Sequence, residues 1–325
     1  MPALVHDCAM SRYFANRILA MVFTLFGVTV IVFLLVRLIP GTIVSQMLGT
    51  EALTSYETVE SLRRYFGLDQ PLHVQYYQWI TRVLVGDMGV SWRTAVPVTE
   101  YILSRLPVTL ELTGISIIVA LLIGLPAGVV SALKQNQSVD GAARILSLLG
   151  LSIPVFWQGT MFILILSLAF RWAPPMEWIS PAKDLAANLN MMLLPGFCLG
   201  TASAAVIMRM TRSCILDVLR QEYIRTARAK GLAERVVLAS HALKNAMIPV
   251  VTVAGLQIGY LLGGTVVVEE VFSLPGIGRL VLSAIYQRDY PTVQGTTLLI
   301  AVMIMGVNLL VDVLYAFLDP RIRYA

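Results

Sequence analysis

The sequence has few charged residues and few cysteines. Only 13% of its 325 residues are charged, whereas 57% are hydrophobic, and the mean hydropathy is +0.77. Soluble globular domains contain about 45–50% apolar residues, so the composition excludes an ordinary soluble protein. The three cysteines, Cys8, Cys198 and Cys214, show no C-x-x-C spacing. We therefore expect neither a disulfide framework nor a cysteine metal site.

Signatures of catalysis are also missing from the sequence. The histidines His6, His73 and His241 form no H-E-x-x-H pair, and no G-x-x-x-x-G-K-[ST] phosphate loop is present. No nucleophile and base stand in a recognisable arrangement. The net charge of +5 comes without a basic and aromatic patch. We predict no catalytic residue, no metal, no cofactor held by this chain, and no nucleic-acid partner.

Long uncharged runs are the main feature that is present. A helix of about 20 apolar residues spans the hydrocarbon core of a bilayer, and backbone polar groups in lipid must be satisfied within the helix. Six runs meet this length, and they predict an all-α polytopic membrane protein with six transmembrane helices. Prolines interrupt several runs, either as packing kinks or as hinges. The runs are Ile18–Val36, Leu112–Leu133, Ile145–Phe170, Leu185–Met208, Asn245–Val268 and Tyr290–Val311.

The distribution of positive charge predicts the orientation. If the N-terminus is cytoplasmic, 14 of the 24 Lys and Arg residues lie on the inner side, as the positive-inside rule expects. The predicted order is a cytoplasmic N-terminus (1–17), transmembrane helix 1 (18–37), an extracytoplasmic helical region (38–107), a core membrane domain with the other five helices (108–318) and a cytoplasmic C-terminus (319–325). The core includes a cytoplasmic loop at 209–246.

The extracytoplasmic region is long enough to hold helices of its own. Thr54 and Glu57 fit a capping box for a helix that stops at Gly67. A second helix is predicted from Pro71 to Gly86. The region serves either as a packing cap or as a docking platform for a partner.

The cytoplasmic loop carries eight basic residues between Arg209 and Lys244. Ile224 and Ala227 belong to an apolar stripe at helical spacing, and Gly231 is placed to end that helix. A loop lying on anionic lipid explains the sign of the charge. Small residues that alternate with Arg and Lys favour a short helix inserted in a partner's groove.

Several segments together resemble one known family. 222-EYIRTARAKGL-232 and 241-HALKNAMIP-249 resemble the cytoplasmic loop of ABC importer permeases of the peptide/nickel type, first-permease subunit. Further matches are 67-GLDQPLHVQYYQW-79, 86-GDMGVS-91, 105-RLPVTLEL-112, 263-GGTVVVEEVFSLPGIG-278, 289-DYPTVQG-295 and 319-DPRIRY-324. They cover nearly the whole chain, and their order and spacing carry the resemblance.

The resemblance implies a type I ABC importer permease fold in a bacterial inner membrane. It implies a second permease subunit, two ATPase subunits that hold ATP and Mg²⁺, and an external solute-binding protein. Arg225-Thr226-Ala227 stands where wider ABC permeases have Glu-Ala-Ala, with Gly231 at the matching distance. This departure agrees with the peptide-type subset, and we do not carry the generic Glu contact over to Arg225. The residues implied in ATPase coupling are Glu222, Tyr223, Arg225, Thr226, Ala227, Arg228, Ala229, Lys230, Gly231 and Leu232.

Four polar residues outside the loop are further candidates. Glu269 and Glu270 lie near a predicted outer helix end, where they would contact the pathway mouth or the binding protein, or simply reach water. Gln257 and Asn308 would line a polar route or bond helix to helix. The expected solute is a peptide, with nickel chelates, glutathione and opines as alternatives. An ATP-independent secondary transporter or channel is the alternative function.

Overall fold

The computed structural model describes residues 2–38, 69–175 and 177–318 of the chain. Within these ranges the protein is helical, with one isolated antiparallel β-bridge between Val90 and Pro97. The predicted all-α class is confirmed. The helices are α1 (Pro2–Leu38), α2 (Leu72–Leu84), α3 (Val98–Leu133), α4 (Ser138–Ser152), α5 (Val155–Phe170), α6 (Leu185–Leu219), α7 (Glu222–Ala229), α8 (Glu234–Val236), a π-helical segment (Val237–Leu243), α9 (Lys244–Val271), α10 (Ile277–Tyr286) and α11 (Tyr290–Leu318).

Five helices among the described residues are long and apolar enough to cross a membrane. Five of the six predicted runs fall on them. They are Asn16–Leu35, Val98–Leu133, Leu185–Leu219, Glu234–Val271 and Tyr290–Leu314.

The third predicted run, Ile145–Phe170, is not one straight helix. It divides into α4 and α5, whose axes differ by 97°, and together they count as at most a sixth span. Ile153 is extended (φ −81°, ψ 118°) ahead of Pro154, because the proline ring disfavours the helical conformation of the preceding residue. Pro154 therefore breaks the helix. From the sequence we predict either a packing kink or a hinge at such a proline.

The chain divides into two compact units. One comprises Val108–Gly278, the start of α1 and the part of α11 from Met303. Its core is formed by α3, α6 and α9. Burial there is greatest along α6: 67% of its most apolar 18-residue stretch is buried, against 33% for the corresponding stretches of the helices Val98–Leu133 and Glu234–Val271. Residues from the three helices that pack together include Leu112, Met192, Cys198, Leu199, Leu261, Val268, Ala120, Ala204, Ile207 and Val250.

Glycine allows α3 and α6 to approach closely. A Cβ on Gly128 would lie 2.6 Å from the Cβ of Thr211 and 2.7 Å from the carbonyl oxygen of Met208. Both distances are shorter than van der Waals contact. The two backbones therefore touch near the end of α3, and α6 is held there in a fixed register.

The other unit comprises Phe14–Pro107 and Arg279–Val302. In it α1 packs against α2, where the hydroxyls of Thr29 and Tyr76 lie 2.7 Å apart. The buried Asp289 carboxylate accepts hydrogen bonds from the Ser91 hydroxyl at 2.5 Å and from the Trp92 amide at 3.1 Å. This carboxylate fixes the loop that precedes α3.

The helix predicted from Pro71 to Gly86 is present as α2 (Leu72–Leu84), which begins directly after Pro71, its N-terminal capping residue. The predicted first outer helix, with its capping box at Thr54, lies outside the described residues. The predicted C-terminal segment 319–325 also lies outside them.

Candidate functional site

The loop between α6 and α9 begins with the short helix α7. Gln221 is extended (φ −73°, ψ 147°) and starts the helix, and Glu222 lies in its first turn, where the helix dipole favours a negative charge. The Arg225 guanidinium donates to the Glu222 carboxylate at 2.8 Å. The sequence therefore supplies an acidic start and an i, i+3 ion pair that favour a helix at this position.

A glycine turn ends α7, as the sequence predicted. Gly231 has φ +79°, a left-handed conformation that residues with a side chain adopt only with strain. Its amide donates to the carbonyl of Arg228 at 2.9 Å, and the Leu232 amide donates to the carbonyl of Ala227 at 3.4 Å. The turn satisfies the last carbonyls of the helix and redirects the chain into α8.

The inner side of α7 packs on the loop's own apolar core. Ile224 is fully buried and Ala227 is 8% exposed, and both belong to one apolar cluster with Val237 and Ala242 of the π-helical segment. Ile224 and Ala227 are three positions apart and therefore lie on the same face of the helix, which explains why both are buried. Ala227 therefore lies on the inner side of α7, where its side chain supports the helix from within. Its role in ATPase coupling stays a prediction.

The other nine predicted coupling residues are exposed, and together they form what we call the loop face. The aromatic ring of Tyr223 is 42% exposed and Leu232 is 41% exposed, so the face combines apolar and charged groups. It consists of Glu222, Tyr223, Arg225, Thr226, Arg228, Ala229, Lys230, Gly231 and Leu232.

Two contacts fix α7 against the chain that follows. The Arg228 guanidinium donates to both carboxylate oxygens of Glu234, at 3.1 and 2.7 Å. These bonds raise the pKa of Arg228 above its ordinary value, so its charge is permanent. Asn245 donates to the Tyr223 hydroxyl at 2.9 Å and to the carbonyl of His241 at 3.1 Å. The loop face thus stands on a supported scaffold.

The four polar candidates outside the loop are not brought to the loop face. Gln257 is half-buried on α9 and accepts from the Ser203 hydroxyl at 3.2 Å. Asn308 is half-buried on α11, and its amide oxygen lies 3.5 Å from the position of a Cβ on Gly259. Both side chains therefore lie at contacts between helices.

The adjacent acidic residues Glu269 and Glu270 have opposite environments. Glu269 is fully buried: the Thr109 hydroxyl donates to its carboxylate at 2.7 Å, and Gly276 leaves no room for a side chain over the carboxyl group. Glu270 is exposed. Of the two carboxylates, only that of Glu270 is exposed in this conformation.

The sequence did not identify one prominent group of polar residues. Arg212 was counted among the basic residues of the loop. Its guanidinium donates hydrogen bonds to both carboxylate oxygens of the fully buried Asp140, at 2.8 Å each. The two residues are 72 positions apart. In the sequence Asp140 is a single acidic residue between the second and third apolar runs, and no local pattern pairs it with Arg212.

Comparisons with known proteins agree with the fold and the loop. Residues 124–324 match the family described as binding-protein-dependent transport system inner membrane component. Residues 10–113 match the N-terminal family of the same membrane components. The two matches together cover nearly the whole chain.

Curated relatives match over their whole length. A dipeptide transport system permease protein, DppB of Alkalihalophilus pseudofirmus, is 40% identical over 97% of this chain and 100% of its own. A glutathione transport system permease protein, GsiC of Salmonella choleraesuis, is 44% identical with the same coverage. An oligopeptide transport system permease protein, AppB of Bacillus subtilis, is 40% identical with the same coverage.

Solved structures share the fold at low sequence identity. The inward-facing MetNI methionine ABC transporter matches with a TM-score of 0.56 and 17% identity, covering 67% of this chain and 96% of the other. An amino acid ABC transporter matches with a TM-score of 0.51 and 16% identity, covering 69% and 94%. These matches confirm the type I ABC importer permease fold. None supports a secondary transporter or channel. The chain belongs to the family of binding-protein-dependent transport system inner membrane components, and within it to the peptide-type ABC importer permeases, as a first-permease subunit.

Proposed function

We propose that this chain forms one half of the translocation pathway of an ATP-driven importer for peptides or a related small solute. The relatives are permeases for dipeptides, oligopeptides and glutathione, itself a tripeptide. A nickel chelate or an opine is the alternative substrate. A second permease subunit would complete the pathway in the bacterial inner membrane, and an external binding protein would deliver the solute. Both termini would be cytoplasmic.

We further propose that the loop face is the docking site of a separate ATPase subunit. The observation that carries this is that nine exposed residues stand on α7 and in the turn after it, whereas the inner side of the helix, Ile224 and Ala227, is already packed within the loop. A short supported helix with exposed Arg225 and Lys230 is suited to a groove lined with carboxylates. ATP and Mg²⁺ would bind the ATPase subunits, since this chain has no phosphate loop.

The connectivity explains how docking would drive transport. α7 follows α6 after only Arg220 and Gln221, and α8 and the π-helical segment lead from it into α9. Both α6 and α9 belong to the packed core. A displacement of α7 would therefore move two core helices. Inverting a conformational equilibrium from 1:99 to 99:1 needs about 5.5 kcal/mol, which ATP hydrolysis in the partner would supply.

Replacing Ala229 by Arg tests the docking site. The long charged side chain would stand on the loop face, so we expect ATPase association to weaken by about 30-fold, the change that follows from about 2 kcal/mol at an interface hot spot. The matched control is Ala186→Arg, the same change at an exposed position at the opposite end of α6. Association is measured by titrating ATPase subunits onto the purified permease pair in lipid nanodiscs.

Equal association for both variants would contradict the docking site. The energy source is tested separately in proteoliposomes that hold the complete transporter. Solute uptake should require ATP; uptake that proceeds with an ion gradient and no ATP would overturn the proposed function. Mass spectrometry of the ligand retained by the purified binding protein then separates a peptide from a nickel chelate or an opine.

A further inference from the structure

A buried carboxylate joins three helical elements close to the loop. Asp140 lies in the first turn of α4 and is fully buried. It accepts hydrogen bonds from Arg212 Nε and Nη2 at 2.8 Å each, from the Ser131 hydroxyl at 2.6 Å and from the Asn136 amide at 3.0 Å. We call Asp140, Arg212, Ser131 and the Asn136 amide the Asp140 clamp. It connects the end of α3, the turn after it, the start of α4, and α6.

The backbone around the clamp is shaped to form it. Asn136 has φ +63°, a left-handed conformation that asparagine tolerates better than most residues, and its amide is thereby directed at Asp140. Gly128 brings α3 against α6 beside Thr211, the residue before Arg212. Ser131 follows one turn later. The close helix contact thus places the two donors, Ser131 and Arg212, around one acceptor.

The clamp is stronger than an ordinary surface ion pair. A bidentate pair between arginine and carboxylate fixes both distance and orientation. Its side chains are 20% exposed for Arg212 and 0% exposed for Asp140, so water does not readily replace the partner. Breaking a buried pair leaves an uncompensated charge. The clamp therefore holds its elements together when neighbouring helices move.

The position of Arg212 along α6 connects the clamp to the loop. Arg212 precedes Leu219, where α6 ends just before α7, by seven positions, which is about 10 Å of continuous helix. On the other side, α4 continues from Asp140 in its first turn to Ser152, and the axis of α5 then differs from that of α4 by 97°. A movement of α7 transmitted along α6 would reach Arg212 first and then α3 and α4 through Asp140.

We propose that Asp140 and Arg212 are positioning residues of the transport cycle, which transmit the displacement of the loop face to α3 and α4. The clamp couples ATP hydrolysis to movement of the transmembrane helices and makes no contact with solute or nucleotide. This inference rests on the proposed docking of an ATPase at the loop face.

The test measures solute imported per ATP hydrolysed by the complete transporter in proteoliposomes. Arg212→Lys keeps the charge and the fold but loses the two-point contact, and we expect the ratio to fall about fivefold, the lower end of typical coupling between sites. The double variant Asp140→Asn with Arg212→Gln leaves no buried charge unpaired and should show at least the same fall. Association of the ATPase should stay within about twofold, because the loop face is unchanged.

Arg144→Gln is the matched control. Arg144 lies one turn beyond Asp140, 3.7 Å from the same carboxylate, but its side chain is 55% exposed. Its removal should leave the ratio within about twofold of the wild type. A similar loss in Arg144→Gln would show that any charge near α4 matters, and would overturn the assignment to the clamp.

Two results would overturn the proposed role of the Asp140 clamp. One is an unchanged ratio in Arg212→Lys, with only the amount of assembled complex reduced, which is the outcome of a purely structural contact. The other is a wild-type ratio in the double variant, which would show that coupling does not need the ion pair. The proposed docking fails by a different measurement: in that case Ala229→Arg binds the ATPase as the wild type does.

Discussion

Two arginine–carboxylate pairs of the same chemistry lie in different environments. Arg228 and Glu234 meet beside the loop face with side chains 42% and 55% exposed. Arg212 and Asp140 meet inside the helical core with side chains 20% and 0% exposed. Exposed pairs contribute little to stability, whereas breaking a buried pair is strongly unfavourable. The first pair suits a surface that docks and releases a partner, and the second suits an internal connection that must persist.

The largest effect that would separate the two pairs is expected from Asp140→Asn. The amide no longer balances the Arg212 charge, and the Arg212, Ser131 and Asn136 donors then face a neutral group. We expect a several-fold loss of folded permease, measured by fluorescence-detected size-exclusion chromatography and by thermal unfolding. Glu234→Gln, the same chemical change in the exposed pair, is the matched control. Equal behaviour of the two variants would show that burial does not distinguish the pairs.

An intermediate effect is expected from Gly128→Ala, which tests the helix contact behind the buried pair. The new methyl group would collide with Thr211 and the carbonyl of Met208, and overpacking of this kind costs about 1–3 kcal/mol. Gly114→Ala on the same helix meets no atom within 4 Å and is the control. Thermal unfolding should separate the two variants. If Gly128→Ala is as stable as Gly114→Ala, α3 and α6 do not depend on this close approach.

The smallest effect is expected from Arg228→Gln, which breaks the exposed pair. Solvent screens both partners, so the loss of stability should stay below about 1 kcal/mol. The pKa of Arg228 is raised, so the arginine is protonated throughout the working range and the pair is not broken by mild alkali. Thermal unfolding measured near neutral and near mildly alkaline pH should give the same difference from wild type. A loss as large as that of Asp140→Asn would remove the contrast between the pairs.

Local sequence patterns predicted much of the fold and part of the site. Apolar runs located the spanning helices, and the glycine at 231 located the end of α7, because both depend on neighbouring residues along the chain. The stripe that contains Ile224 also contains Ala227. Helical spacing therefore indicated that Ala227 faces inward, and the resemblance also implied it in ATPase coupling.

Features that depend on residues distant in the chain were not predictable. Asp140 and Arg212 are brought together only by the packing of α3 against α6. Glu269 stands at a helix end that suggests access to water, yet the turn containing Gly276 closes over it. The sharp break at Pro154 also exceeded the expectation, because a proline within an apolar run more often bends a helix than divides it.

The central claim is that the loop face, and not the inner side of α7, receives the ATPase. Cysteine accessibility tests it most directly in a permease whose own Cys8, Cys198 and Cys214 are replaced by alanine. The three single variants are Ala229→Cys on the face, Ala227→Cys on the inner side and Ala186→Cys at the other end of α6. Each is treated with maleimide in nanodiscs, with and without ATPase subunits.

The cysteine at 229 should react with maleimide in the free permease and be protected when the ATPase is bound. The cysteine at 227 should stay unreactive in both states, and the cysteine at 186 should react in both. Labelling at 229 that is the same with and without the ATPase would contradict the account.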